Sequence, residues 1–428
     1  MQPPEVIEVN DEPPLFNEED WIGKGLQYPK DEDAPLSLKY YIDGLLTIPD
    51  AVKDEHTPSR NLSIENFIKI KLPKISYNLP MIKADISFRK EAPNVGTNGL
   101  STRELPSLPW INRLKHHFKQ AVLDGKKSIV DPQYPGSLLP LWWLGFWTEL
   151  HDIHKVQQDW KKAMEWVEHI PGGLEQEVYL QKQAQVILSN LRWDEHTDIA
   201  GADGVNTSTF SFSQYLSDSK MMKTDHINMM FAHLSELAER DPVIDDYVII
   251  ERLRFMKAVM KAAQAKEKDD KSERWLSLLE DKVRNGDIKA AVFPVYLPGH
   301  SHWITIRIDF EQEEILYGKL RLISYKRLIE LKYFTGDSLS HKRMPPPKDT
   351  MKIIQSWLKK RFGRTYEDTG DSLSHGDQDN FTDCGILAAN TAAHDIFGDN
   401  IWNPNTKRLH RLDWFVKLSE AHMEHVRT

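Results

Sequence analysis

Between Pro109 and Gly125 the apolar residues Trp110, Ile111, Leu114, Phe118 and Val122 recur every three or four positions, the spacing of a helix with one buried face. A second helix is expected from Leu138 to about Ile170, stopped by Pro171-Gly172-Gly173. It holds Trp142, Trp143, Trp147, Trp160 and Trp166, read first as helical core and second as a surface for a partner. After a Gly/Ser/Thr-rich loop to Ser213, helices are expected over 218–239, 244–265 and 273–284. The period then changes. Ala290 to Leu297 reads as a strand, and His302 to Phe310 alternates Ile304, Ile306, Ile308 and Phe310 on one face, as a half-buried strand does. Glu314 to Tyr317 reads as its neighbour, and helices follow over 349–362, 384–397 and 407–425. Strands flanked by helices on both sides predict a mixed α+β domain over 195–428. Upstream, 61–190 is expected to be mainly helical, with Phe67 to Leu72 a short strand, and Pro- and acid-rich residues 1–60 to be a mobile tail.

Composition narrows the function. Hydrophobic residues make up 40% and charged residues 28% of the 428, as in an ordinary globular protein. A net charge of −9 argues against nucleic acid as partner, because phosphate binding calls for a basic face. The longest apolar runs, such as Leu138 to Trp147, are too short to span a membrane, and the first residues lack the basic and apolar regions of a signal peptide. An intracellular protein, in nucleus or cytoplasm, is expected. The oligomeric state is left open.

The chain has one cysteine, Cys384, so neither an intramolecular disulfide nor a multi-cysteine zinc site can form. It precedes the small, apolar run Gly385-Ile-Leu-Ala-Ala389, which places it at a helix N-terminus. Unpaired N–H groups there favour a thiolate. Gly385 would leave room for a substrate carbonyl, and Gln378 could donate its amide N–H to an oxyanion. A thiol nucleophile also needs a base. His302 is the first choice, since it opens a strand and is followed by Trp303, which could pack on the imidazole and exclude water; His300 is second. Asp309 is read as structural and Asp383 as a helix N-cap. His151 and His154 lack a metal-binding surround. No metal or organic cofactor is called for.

His302-Trp303, then Asp-Ser-Leu, then Gln378-x-Asn380-x-x-Asp383-Cys384-Gly385, together resemble the SUMO and ubiquitin-like-protein-specific cysteine proteases. The resemblance covers 195–428, most closely 290–398. It implies a papain-like, SUMO-protease-like core behind a helical N-terminal region. It also implies cleavage after the C-terminal glycine of a SUMO-like or other ubiquitin-like modifier, free or in conjugates. Met221, in Met221-Met-Lys-Thr-Asp-His-Ile-Asn228, takes the place where the family carries a substrate-channel tryptophan.

The family's acid stands after Tyr-x at the end of the strand following the histidine. Here Tyr317-Gly318 is followed by Lys319, and Asp-Ser-Leu arrives only at Asp337, after the 18 residues Lys319–Gly336. Deleting them restores Tyr-Gly-Asp-Ser-Leu, so Asp337 is the expected acid. The inserted piece holds five basic residues and one acid. Its frame-preserving length, with Gly-Lys and Thr-Gly borders able to encode splice sites, suggests an unspliced intron; a surface insertion is the alternative. Displacing Asp337, it would leave an impaired, modifier-binding pseudoprotease. Thr335 to His341 recurs at 369–375, which makes Asp371 a rival acid.

Overall fold

The computed structural model describes residues 17–79, 87–97, 100, 103–171, 173–202, 205–265, 273–318, 347–378 and 380–427. Two compact units divide the chain: residues 1–62 with 67–158, and residues 63–66 with 159–428.

The first unit contains helices α1 (Glu18–Trp21), α2 (Leu36–Leu46) and α3 (Asp50–His56). Next comes α4 (Ile64–Lys69), of which Phe67–Lys69 belong to this unit, then the short strands β1 (Ile75–Ser76), β2 (Phe88–Arg89) and β3 (Leu105–Pro106). Helix α5 (Leu108–Leu123), β4 (Ser128–Val130), β5 (Leu138–Pro140) and the start of α6 (Trp143–Glu168) follow. β2, β4 and β5 form an antiparallel sheet in that order. Trp110, Trp143 and Trp147 are buried and meet edge to face at 5.6–5.8 Å, so these tryptophans are core. His151 and His154 each turn one ring nitrogen to a backbone carbonyl, of Pro106 and Pro73.

In the second unit α7 (Glu175–Asn190), α8 (Thr224–Glu239) and α9 (Pro242–Asp245) precede a five-stranded sheet. Its strands are β6 (Val248–Ile250), β7 (Ala290–Leu297), β8 (His302–Asp309), β9 (Glu314–Gly318) and β10 (Glu367–Asp371). The order is β10-β9-β8-β7-β6; β7, β8 and β9 are antiparallel, and the two edge strands run parallel to their neighbours. α10 (Leu253–Gln264), α11 (Arg274–Asn285) and α12 (Lys348–Phe362) pack on one face. There Phe293 and Val295 oppose Ile306 and Ile304 in register, together with Ile315 and Tyr317. Alternation along β8 makes the other face: Trp303, Thr305 and Arg307 turn toward α13 (Cys384–Phe397). The Thr305 hydroxyl donates to the Ala388 carbonyl at 2.6 Å, and Arg307 pairs with Asp395 at 2.8 Å. α14 (Lys407–Arg427) packs against α7 and α8. The domain is α+β.

Several expectations need correction. Residues 36–56, expected within a tail, form α2 and α3, which bury Leu38, Ile42 and Val52. Phe67–Leu72 alternates like a strand, yet its first residues complete α4. The long tryptophan helix starts at Trp143, because Leu138–Pro140 pairs with β4. Val248–Ile250, expected inside a helix, is edge strand β6, where the β-branched residues find a parallel partner in β7. The second unit starts at Asp159 and takes in Ser63–Asn66, rather than starting near 195. Among the described residues, no helix is long and apolar enough to cross a membrane.

Candidate functional site

Cys384 is the first residue of α13, and Asp383 is the N-cap. The cysteine is only 1% exposed. The backbone N–H groups of Trp303, Gly385 and Cys384 donate toward its sulfur. His302 precedes Trp303 in the chain, so covalent geometry brings its backbone within about 6 Å of the sulfur. β8 and α13, distant in sequence, thus bring the backbone of the candidate base near the nucleophile. Thr305 locks that pairing one turn further along.

Burial dominates the charge state of the thiol. It pushes the Cys384 pKa above its ordinary value, because the thiolate loses hydration. The three N–H groups pull the other way, and the Asp383 carboxylate adds to the rise. Burial thus opposes the thiolate that a helix N-terminus would favour. Asp383 occupies the N-cap without capping through its side chain. Instead, one carboxylate oxygen accepts from Arg411 at 2.6 Å and the other from Asn380 Nδ2 at 2.6 Å.

Gln378 is 2% exposed, and its amide donates to Asn380 Oδ1 at 3.3 Å. The same oxygen accepts from the N–H groups of Thr382 and Asp383. Gln378 and Cys384 therefore belong to one hydrogen-bonded loop. Trp303 is buried. Its ring lies 4.7 Å from that of Tyr296, and its indole N–H donates to the Met222 carbonyl at 3.2 Å. Met221 is 42% exposed, whereas Met222, 3% exposed, packs inward. A Cβ on Gly385 would lie 2.6 Å from Met222 Cβ and 2.8 Å from Ile227 Cδ1. The space at Gly385 is thus filled by the protein itself, where the sequence suggested room for substrate.

Asp337 and the whole insertion 319–336 lie outside the described residues, as does the side chain of His300. Asp371, the rival acid, ends β10 opposite Tyr317, and its carboxylate meets His375 Nε2 at 2.8 Å. Gly318 lies alongside; a Cβ there would come within 2.9 Å of Thr391 and 3.4 Å of His375. Asp309 accepts from the N–H groups of Glu311 and Gln312 and so shapes the turn between β8 and β9. Among the described residues, no cluster could hold a metal.

Sequence reasoning missed Arg411, the packing of Met222, the hydrogen bonds of the motif residue Asn380, and the pairing of Asp371 with His375. Arg411 had left a signal. Arg411, Phe415, Leu418 and His422 fall on one helical face and are all buried, so a charge stands in an apolar stripe.

No protein-family model matches the chain, and no curated protein matches its sequence. Solved structures do. The Ulp1 protease domain in complex with Smt3, the yeast ortholog of SUMO, is 13% identical over 56% of this chain and 93% of that one, with a TM-score of 0.37. The Ulp1-like SUMO protease catalytic domain of Chaetomium thermophilum is 11% identical over 47% and 74%, at 0.29. The effector XopD of Xanthomonas campestris, bound to ubiquitin, is 10% identical over 46% and 92%, at 0.27. Scores this low carry none of the functional reading, which rests on the residues above. The chain is an α+β protein whose structural neighbours include SUMO proteases.

Proposed function

We propose that the chain is a thiol peptidase that hydrolyses the bond after the C-terminal glycine of a SUMO-like or other ubiquitin-like modifier, in a precursor or a lysine conjugate. One observation carries this reading: the lone cysteine opens α13 with the Trp303 N–H aimed at its sulfur, directly after His302. In the proposed reaction His302, oriented by Asp337, takes the thiol proton. The sulfur attacks the glycine carbonyl, and the oxyanion is stabilised by the Gln378 amide and the Cys384 N–H. The tetrahedral adduct collapses to a thioester as His302 gives the proton to the departing amine. Water, deprotonated by His302, then releases the glycine carboxylate and the thiol. Met221, exposed at the surface, would line the approach. Action inside the cell, in nucleus or cytoplasm, fits such a substrate.

A modifier carrying a C-terminal glycine electrophile should label the native chain at Cys384, and C384A should abolish labelling. Labelling that survives C384A would overturn the assignment.

Burial of the thiol and its raised pKa favour a second reading, an impaired pseudoprotease that binds the modifier without forming a thioester. Modifier binding without labelling would select it.

A further inference from the structure

Arg411 is 1% exposed, and a buried guanidinium persists only when its donors are met. Here they are shared between two stretches of chain. Nε donates to Asp383 Oδ1 at 2.6 Å, and Nη2 to the Thr382 carbonyl at 3.3 Å, both in the loop that leads into Cys384. Nη1 donates to the Gln214 carbonyl at 3.1 Å, and Nη2 also to the Lys220 carbonyl at 2.8 Å. That second stretch leads into Met222, which packs against Gly385 and receives the Trp303 indole N–H. One side chain therefore ties together two of the segments that surround the thiol. From Asp383 the chain of bonds continues through Asn380 to the Gln378 amide.

We propose that Arg411 is a positioning residue for the thiol: by holding Asp383 it sets the start of α13, so that the Cys384 sulfur meets its N–H donors and Gln378 faces the same cleft. The Gln378 part rests on the reading under Proposed function; the thiol part stands without it. A second effect follows from charge. Asp383 raises the thiol pKa, and the guanidinium neutralises that carboxylate at close range. Removing Arg411 leaves the carboxylate uncompensated beside the sulfur.

Because Cys384 is the chain's single cysteine, its alkylation by iodoacetamide can be followed in the full chain without interference. The rate is measured against pH in the native protein, in R411K, in D383N and in the D383N/R411M double variant. R411K keeps the charge but gives up the fork, and should move the alkylation midpoint up by about one pH unit. D383N should move it down, and the neutral double variant should lie above D383N because the arginine is lost as well, which offers a route should R411K fail to fold. Turnover of a modifier substrate by R411K should fall about tenfold or more in kcat, with KM within about threefold. Arginine serving only as fold support would lower the melting temperature, leave the R411K midpoint at the native value and leave the double variant at the D383N value; that result overturns the proposal. If the midpoints shift but no modifier probe reacts with the native chain, the peptidase reading fails and the positioning role stands.

Discussion

At the scale of single residues, the site depends on small groups at close approach. Gly385 has its would-be Cβ 2.6 Å from Met222 and 2.8 Å from Ile227, distances at which one of the partners must move. G385A is therefore expected to destabilise the fold by about 1–3 kcal/mol, the usual range for overpacking. It should also push α13 away from Met222. A second substitution, M222G, should restore part of the loss, because it removes the Met222 Cβ and Cγ that stand in the way. Urea midpoints of the single and double variants check this, and an unchanged midpoint in G385A would show that the segment gives freely. The motif pointed to glycine at this position, but only the coordinates show that protein atoms, not substrate, occupy the space beside it.

At the scale of elements, helix α8 carries a pH-sensitive start. The Lys223 N–H donates to His226 Nδ1 at 3.1 Å, so the proton sits on Nε2, which donates to the Ser211 carbonyl at 3.0 Å. Burial lowers the His226 pKa from 6.5 to about 4, since no solvent remains to support the imidazolium. The folded state thus favours the neutral ring, and the unfolded chain takes up the proton first as the pH falls. Stability from this group is complete above pH 6.5 and is lost on acidification from there toward about 4. The loss should reach about 2 kcal/mol at pH 5. Denaturant titrations at pH 7.5 and 5 test this against H226Q, which should lose less between the two; parallel losses would exclude the histidine as the source. The element itself was legible, since apolar spacing marked a helix there, while its true start at Thr224 followed from a side-chain cap that hydrophobic period does not report.

At the scale of the molecule, the second unit reaches further upstream than its motifs do. α7 packs along α14, and Trp160, fully buried, donates its indole N–H to the Trp193 carbonyl at 3.0 Å. A chain beginning at residue 195 would strip these elements away and expose the face of α14 that they cover. It should melt at least about 5 °C below a chain that keeps them, the shift that a kilocalorie or two produces in a domain of this size. A melt equal to that of the full chain would show that α7 contributes nothing to this unit. The sequence placed the boundary where the motif ended, because resemblance follows the chemistry and not the packing beneath it.

Local patterns sufficed for much of the second unit. Alternation along Ile304, Ile306 and Ile308 marked β8, and the small apolar run after Cys384 gave α13 its bounds, because burial on one face imposes its period on the nearest residues in the chain. Other features depend on partners remote in sequence. Val248–Ile250 is a strand only because β7 offers an open edge. Arg411 is buried only because Asp383 and three carbonyls converge on it. The thiol pKa rises because tertiary packing excludes water from a helix end that would otherwise favour the anion. The sequence could name candidate reactive groups, since side-chain chemistry is intrinsic. Their separations, solvation and charge arose only when distant segments met.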